Sequence, residues 1–110
     1  SLTSHAAVLS AFANDVSADM AYAQLVYGYG GKGDLLIGLS TSGNSKNVVK
    51  AVKVAKALGL ITIAMTGEKE SLLSENCDVC IKVPECETYL IQELHLPIYH
   101  YICSELEKRL

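Results

Sequence analysis

Two apolar runs of strand length, residues 34–39 and 60–65, flank a segment with a helical repeat. In that segment Lys46, Lys50, Lys53 and Lys56 follow one another at spacings of 4, 3 and 3, and Val48, Val52 and Ala55 line another face. The pattern predicts an amphipathic helix over 46–58, ended by Gly59. Strand, helix and strand with short connections make a βαβ unit, which forms a parallel pair through a right-handed crossover. Strands in such sheets are covered on both faces and read as continuous apolar runs, as 34–39 does. A short helix around 71–74 and a third strand over 79–83, closed by Pro84, extend the pattern. A long helix with Pro97 inside it is expected over 89–110. Upstream, 4–14 suggests a short helix, and 18–27 a second one stopped by Gly28, Gly30, Gly31 and Gly33. The fold class expected is α/β, a three-layer α/β/α sandwich on a parallel sheet.

With 110 residues the chain is one domain, 1–110, and a small one for this class. Half of it is hydrophobic and only 19% is charged, so part of its apolar surface is expected to be covered by another chain or by a further part of its own. A net charge of −3 gives no electrostatic footprint for nucleic acid. No apolar run approaches the ~18 residues of a membrane span, and no signal-peptide pattern opens the chain. Four cysteines without a secretory context read as reduced thiols of a cytoplasmic protein.

Between the first strand and the lysine-striped helix lies STSGNS, residues 40–45. Four of its six residues carry a hydroxyl. In open parallel sheets, ligands bind beyond the carboxyl ends of the strands. A helix N-terminus there presents unpaired N–H groups and the positive end of the helix dipole to an anion. Hydroxyls add rotatable donors, and Gly43 would let the backbone approach a bound group. The loop holds no lysine and no G-x-x-x-x-G-K-[ST] pattern, so one phosphate ester fits better than a nucleotide. The plainer alternative is an N-cap by Ser45, with the other hydroxyls tolerating a turn.

The stretch LLIGLSTSGNSKNVVKAVKVAKALGLITIAMTG resembles the phosphate-binding segment of the SIS (sugar isomerase) domain. Together with YLIQELHLPIYHYICSELE it is similar to the phosphoheptose isomerases, which interconvert sedoheptulose 7-phosphate and a heptose 7-phosphate. The resemblance implies a flavodoxin-like, SIS-type fold and covers about the C-terminal half of the family pattern, hence a partial domain. It implies that Ser40, Thr41, Ser42 and Ser45 hold the phosphate, that Gln92 is a polar active-site residue, and that His100 is the catalytic histidine. It further implies a homo-oligomer, a tetramer in the full-length protein, and it allows zinc as a cofactor, since some relatives bind it. The family's catalytic glutamate belongs to the absent N-terminal part, so the 110 residues alone are expected to lack isomerase activity. His5, where an aspartate is expected, and Tyr89, where an acidic residue is common, depart from the pattern and leave the sugar open. A second reading is a non-catalytic SIS module that senses a sugar phosphate or binds a protein partner.

Aldose–ketose isomerisation moves a proton between adjacent carbons and needs an acid near the carbonyl oxygen, a role suited to histidine. On an ideal helix His95 lies about 140° around from His100, so the two should not share a site. His95 reads as a buried histidine with a satisfied hydrogen bond. Gln92 and His100 lie about 12 Å apart along the axis, so joint ligation of one ion would be strained and no metal site is expected. Gly28, Gly30 and Gly33 spell G-x-G-x-x-G, but after a helix and before a strand, the reverse of the dinucleotide fingerprint. Cys77 and Cys80 form C-x-x-C without a second pair at zinc-site spacing and read as ordinary thiols. Tyr22, Tyr27 and Tyr29 lack the basic surface of a base-stacking platform and read as core or interface residues.

Overall fold

The computed structural model describes residues 18–110, so His5 and the helix expected over 4–14 lie outside the described residues. A 3-10 turn, Ala18–Met20, leads into α1 (Ala21–Tyr29), which runs through Gly28 and is capped at Gly30. β1 (Leu35–Leu39), α2 (Lys46–Ala57), β2 (Ile61–Thr66), α3 (Leu72–Asn76), β3 (Val79–Lys82) and α4 (Thr88–Arg109) follow. The strands pair in parallel in the order β1-β2-β3, with Gly38 opposite Ala64 and Ala64 opposite Cys80. This is the α/β class that the alternation of strand and helix patterns implied.

The core lies where α2 crosses the sheet. Val49, Val52, Ala64 and Leu73 form one buried cluster, with Leu36, Val48, Cys77 and Cys80 packed against it. Val26, Ala51, Ala55 and Leu60 form a second, joined by Tyr22 and Leu58. Each fully buried Val or Leu contributes about 1.5–3 kcal/mol, so the apolar stripe of α2 outweighs any helix propensity. The lysine stripe stays on the outside, with only Lys50 partly covered.

Because Leu36, Ala64 and Cys80 face α2, the alternate positions point to the other side of the sheet. There Met65 is fully buried, but Leu35, Leu39, Ile61 and Val79 are about half exposed. The expectation that 34–39 is buried on both faces is corrected: among the described residues, β1 is an edge strand covered by α2 on one face, with 49% of Leu35 and 45% of Leu39 accessible.

A polar tie joins β2 to the start of β3. The Thr62 amide and hydroxyl donate to Asp78 Oδ2 at 2.8 and 3.0 Å, and the Asp78 amide donates back to Thr62 Oγ1 at 3.0 Å. These bonds from Thr62, the backbone one first, hold the Asp78 carboxyl below the usual aspartate range.

Candidate functional site

The hydroxyl loop begins where β1 ends. The Ser40 amide continues the ladder by donating to the Met65 carbonyl at 3.0 Å. Ser40 Oγ accepts the Gly43 amide at 3.0 Å and lies 2.8 Å from Ser45 Oγ and 3.5 Å from Ser42 Oγ. Ser42 Oγ in turn accepts the Asn44 amide at 3.1 Å. Ser45 occupies the N-cap position of α2, yet its side chain makes no capping bond, since the hydroxyl faces Ser40. Among the described residues no hydrogen bond uses the amides of Lys46 or Asn47. Of the plainer alternative, the Ser45 side-chain cap is not made, while Ser40 and Ser42 do brace the turn; the first turn of α2 keeps free donors beside these hydroxyls.

Gly43 has a packing reason that the sequence did not show. Its φ is +71°, and a Cβ there would lie 2.5 Å from Ser71 Cβ and strike Ser71 Oγ as well. The space beside it is filled by α3 rather than left for a ligand. The Gly43 carbonyl accepts the Leu73 amide at 3.0 Å, and Asn44 Oδ1 accepts the Leu72 amide at 2.9 Å. Ser71 and Ser74 close a capping box at the same point. The loop thus satisfies the first amides of α3 and is fixed by them, while its own helix start stays open.

Across from the loop stands α4. Leu39, Ser40, Thr41 and Ser45 face Gln92, His95 and Tyr99 over a cleft of about 480 Å³. The three α4 residues are spaced by three and four and so share one helix face. Of the expected site residues, Ser40, Thr41, Ser45 and Gln92 meet in this cleft. Ser42 is exposed and borders a second hollow of about 290 Å³, with Asn44, Glu68, Lys69 and Cys86. His100 is exposed, packs edge-on against Tyr99 at a centroid distance of 5.0 Å, and is not on the cleft wall.

His95 is buried, with 3% of its surface accessible, and its Nε2 lies 3.0 Å from the Thr66 carbonyl. It is the satisfied histidine that the sequence suggested. It is also part of the cleft wall, as is Tyr99, and neither was counted among the site residues from sequence. The signal was available: both share the helical face of Gln92. Gln92 and His100 sit eight residues apart on one helix, and no three His, Cys, Asp or Glu side chains cluster to hold a metal among the described residues.

Residues 3–100 match the SIS domain family. The chain belongs to that family. Phosphoheptose isomerase 2 of Campylobacter jejuni is 43% identical over 109 residues, 99% of this chain and 54% of that protein. The phosphoheptose isomerase of Rhodospirillum rubrum is 39% identical over 109 residues, 58% of its length. Among solved structures, a phosphoheptose isomerase from Francisella tularensis superposes with a TM-score of 0.89 at 32% identity, covering 94% of this chain and 56% of that one. One from Neisseria gonorrhoeae gives 0.89 at 38% identity, with 94% and 59% covered. The chain spans about half the length of the relatives it matches.

In this SIS domain the remaining motifs have structural explanations. Gly28 is inside α1, Gly30 caps it, and Gly33, with a φ of +89°, turns the chain into β1. Cys77 and Cys80 pack against the core cluster around Leu73, and burial pushes the Cys77 thiol up. Tyr22 is a core contact, whereas Tyr27 and Tyr29 are exposed. Among the described residues no helix is long and apolar enough to cross a membrane.

Proposed function

We propose that this SIS domain binds the phosphate of a phosphorylated sugar and, within its full-length protein, takes part in aldose–ketose interconversion of a substrate such as sedoheptulose 7-phosphate. The observation that carries the reading is the uncapped start of α2. Ser45 stands at the cap position with its hydroxyl turned to Ser40, and the Lys46 and Asn47 amides are free beside it. An anion seated there would take those amides and the hydroxyls of Ser40, Thr41, Ser42 and Ser45 as donors.

Anchoring the phosphate would hold the carbonyl end of the sugar in the cleft toward α4, where Gln92 offers an amide to its oxygens. His100 is the proposed acid that protonates the carbonyl oxygen as the neighbouring carbon loses its proton. It lies on the outer face of α4 with Leu96, so it would act where that face meets the rest of the full-length site. We also propose a homo-oligomer, tetrameric in the full-length protein. The half-exposed Leu35, Leu39, Ile61 and Val79 on one sheet face and Leu96, Tyr101 and Leu106 on α4 support it. The four free cysteines support a cytoplasmic location.

The test is an assay of the full-length protein on sedoheptulose 7-phosphate, with inorganic phosphate titrated into the same sample. Turnover with phosphate as a competitive inhibitor is the expected result. Phosphate binding without turnover of any ketose or aldose phosphate would overturn the enzyme reading and favour a sugar-phosphate sensor. Absence of both would overturn the site.

A further inference from the structure

We infer that His95 is a positioning residue, whose bond to the Thr66 carbonyl sets where α4, and with it Gln92, stands across the cleft from the hydroxyl loop; the kinetic part of this inference rests on the isomerase reading above.

Of the 22 residues of α4, only Ile91 and His95 are buried. Ile91 reaches into the space beside Gly67, where a Cβ would come within 2.6 Å of its Cδ1. An apolar contact of this kind has no direction, so it holds the helix near the sheet without fixing its rotation or its slide along its axis. The His95–Thr66 bond is the one hydrogen bond between α4 and the sheet among the described residues. A hydrogen bond is directional, which apolar packing is not.

Its anchor is rigid. Thr66 is the last residue of β2 and is 1% accessible. Its carbonyl also accepts the Val83 amide at 3.1 Å, and its hydroxyl donates to the Gly67 carbonyl at 3.1 Å. The next residue, Gly67, donates its amide to the Thr41 carbonyl at 3.2 Å, inside the hydroxyl loop. His95 is therefore tied through two consecutive residues to the loop that faces it. Gln92 and Tyr99, one turn on either side of His95, are carried with it onto the cleft wall. Because a carbonyl only accepts, the ring must carry its proton on Nε2. A core filler would need no such tautomer.

The full-length protein and its His95→Leu and His95→Gln variants test this by steady-state kinetics on sedoheptulose 7-phosphate and by amide hydrogen exchange. His95→Leu keeps the packing and removes the donor; His95→Gln keeps an N–H of similar reach. Loss of the bond should lower kcat by about 10–100-fold with KM little changed, the scale expected when a group is displaced by about 1 Å. Exchange should rise across residues 88–100 and stay as in the wild type across 40–45, and His95→Gln should recover most of both. A His95→Leu protein with wild-type kcat and exchange would overturn the inference, as would a His95→Gln protein no better than His95→Leu. Should His95→Leu not fold, His95→Gln and the nitrogen-15 spectrum of the wild-type ring decide: an Nε2–H tautomer supports the inference and an Nδ1–H tautomer overturns it. If the wild type turns over no sugar phosphate, the isomerase reading falls, while exchange and tautomer still decide the role of His95.

Discussion

Residues 40–45 and α4 face each other across one cleft, but they are held in different ways. Within the loop, Ser40 joins Gly43 and Ser45, Ser42 joins Asn44, and Gly43 and Asn44 cap the next helix. Of the 22 residues of α4 only Ile91 and His95 are fully buried, and one hydrogen bond joins the helix to the sheet among the described residues. A loop fixed from several directions can bind an anion without reorganising, so its binding energy is not spent on ordering the chain. A helix with so few fully buried residues takes its position from what it leans on, and most of the outer face of α4 is uncovered. Under the proposed function the contrast becomes a division of labour, with a preformed binding half and a reactive half that further contacts must settle.

The largest effect should come from the reactive half. If the full-length protein is the proposed isomerase, His100→Ala is expected to lower kcat by about 10²–10⁴-fold with little change in KM, as loss of a positioned acid–base group does. Steady-state kinetics checks this, and an undiminished kcat would remove His100 from the mechanism and break the division.

Next in size is the loop's backbone. Gly43→Ala places a methyl group against Ser71 at a φ of +71°. Overpacking and left-handed strain together should destabilise the domain by about 2–4 kcal/mol and abolish phosphate binding. Denaturant titration and calorimetry with inorganic phosphate measure the two effects. A stable variant that still binds phosphate would show that the loop is less rigid than its hydrogen bonds imply.

Ser42→Ala should act on binding alone, raising KM by about tenfold or less with kcat nearly unchanged, since a phosphate is held alike in ground and transition states. A selective fall in kcat would instead place Ser42 with the reacting atoms and blur the contrast between the two halves.

The smallest effect lies away from the cleft and serves as a control. Thr62 depresses the Asp78 pKa in the folded state, so the folded protein binds fewer protons there than the unfolded chain. The resulting stability is fully present above the unfolded value of about 3.9 and is lost as the pH falls through the depressed value. Asp78→Asn should flatten that acid limb and leave phosphate affinity at pH 7 unaltered, as thermal melts against pH and a phosphate titration would reveal. A change in affinity would mean that the β2–β3 tie reaches the loop.

Much of this was legible without coordinates because it depends on local pattern. The period of the lysines and valines in 46–58 specifies an amphipathic helix whatever it packs against, and continuous apolar runs on either side specify strands. Hydroxyl density at a strand-to-helix junction marked residues 40–45 as a candidate site, with a plain helix cap as the alternative that spacing left open. What local pattern could not contain is which neighbour fills each space. Gly43 was read only as freedom for the backbone, and its Cβ side is filled by Ser71 at the start of α3, 28 residues further along the chain. The 34–39 run looked doubly covered and is covered on one face among the described residues, because coverage depends on what packs against it rather than on its own composition. His95 was legible as buried but not as the tie of α4, since its partner at Thr66 is 29 residues away and belongs to the backbone, which no side-chain pattern records. Periodicity sets which face of each element is apolar; only long-range packing decides what that face meets.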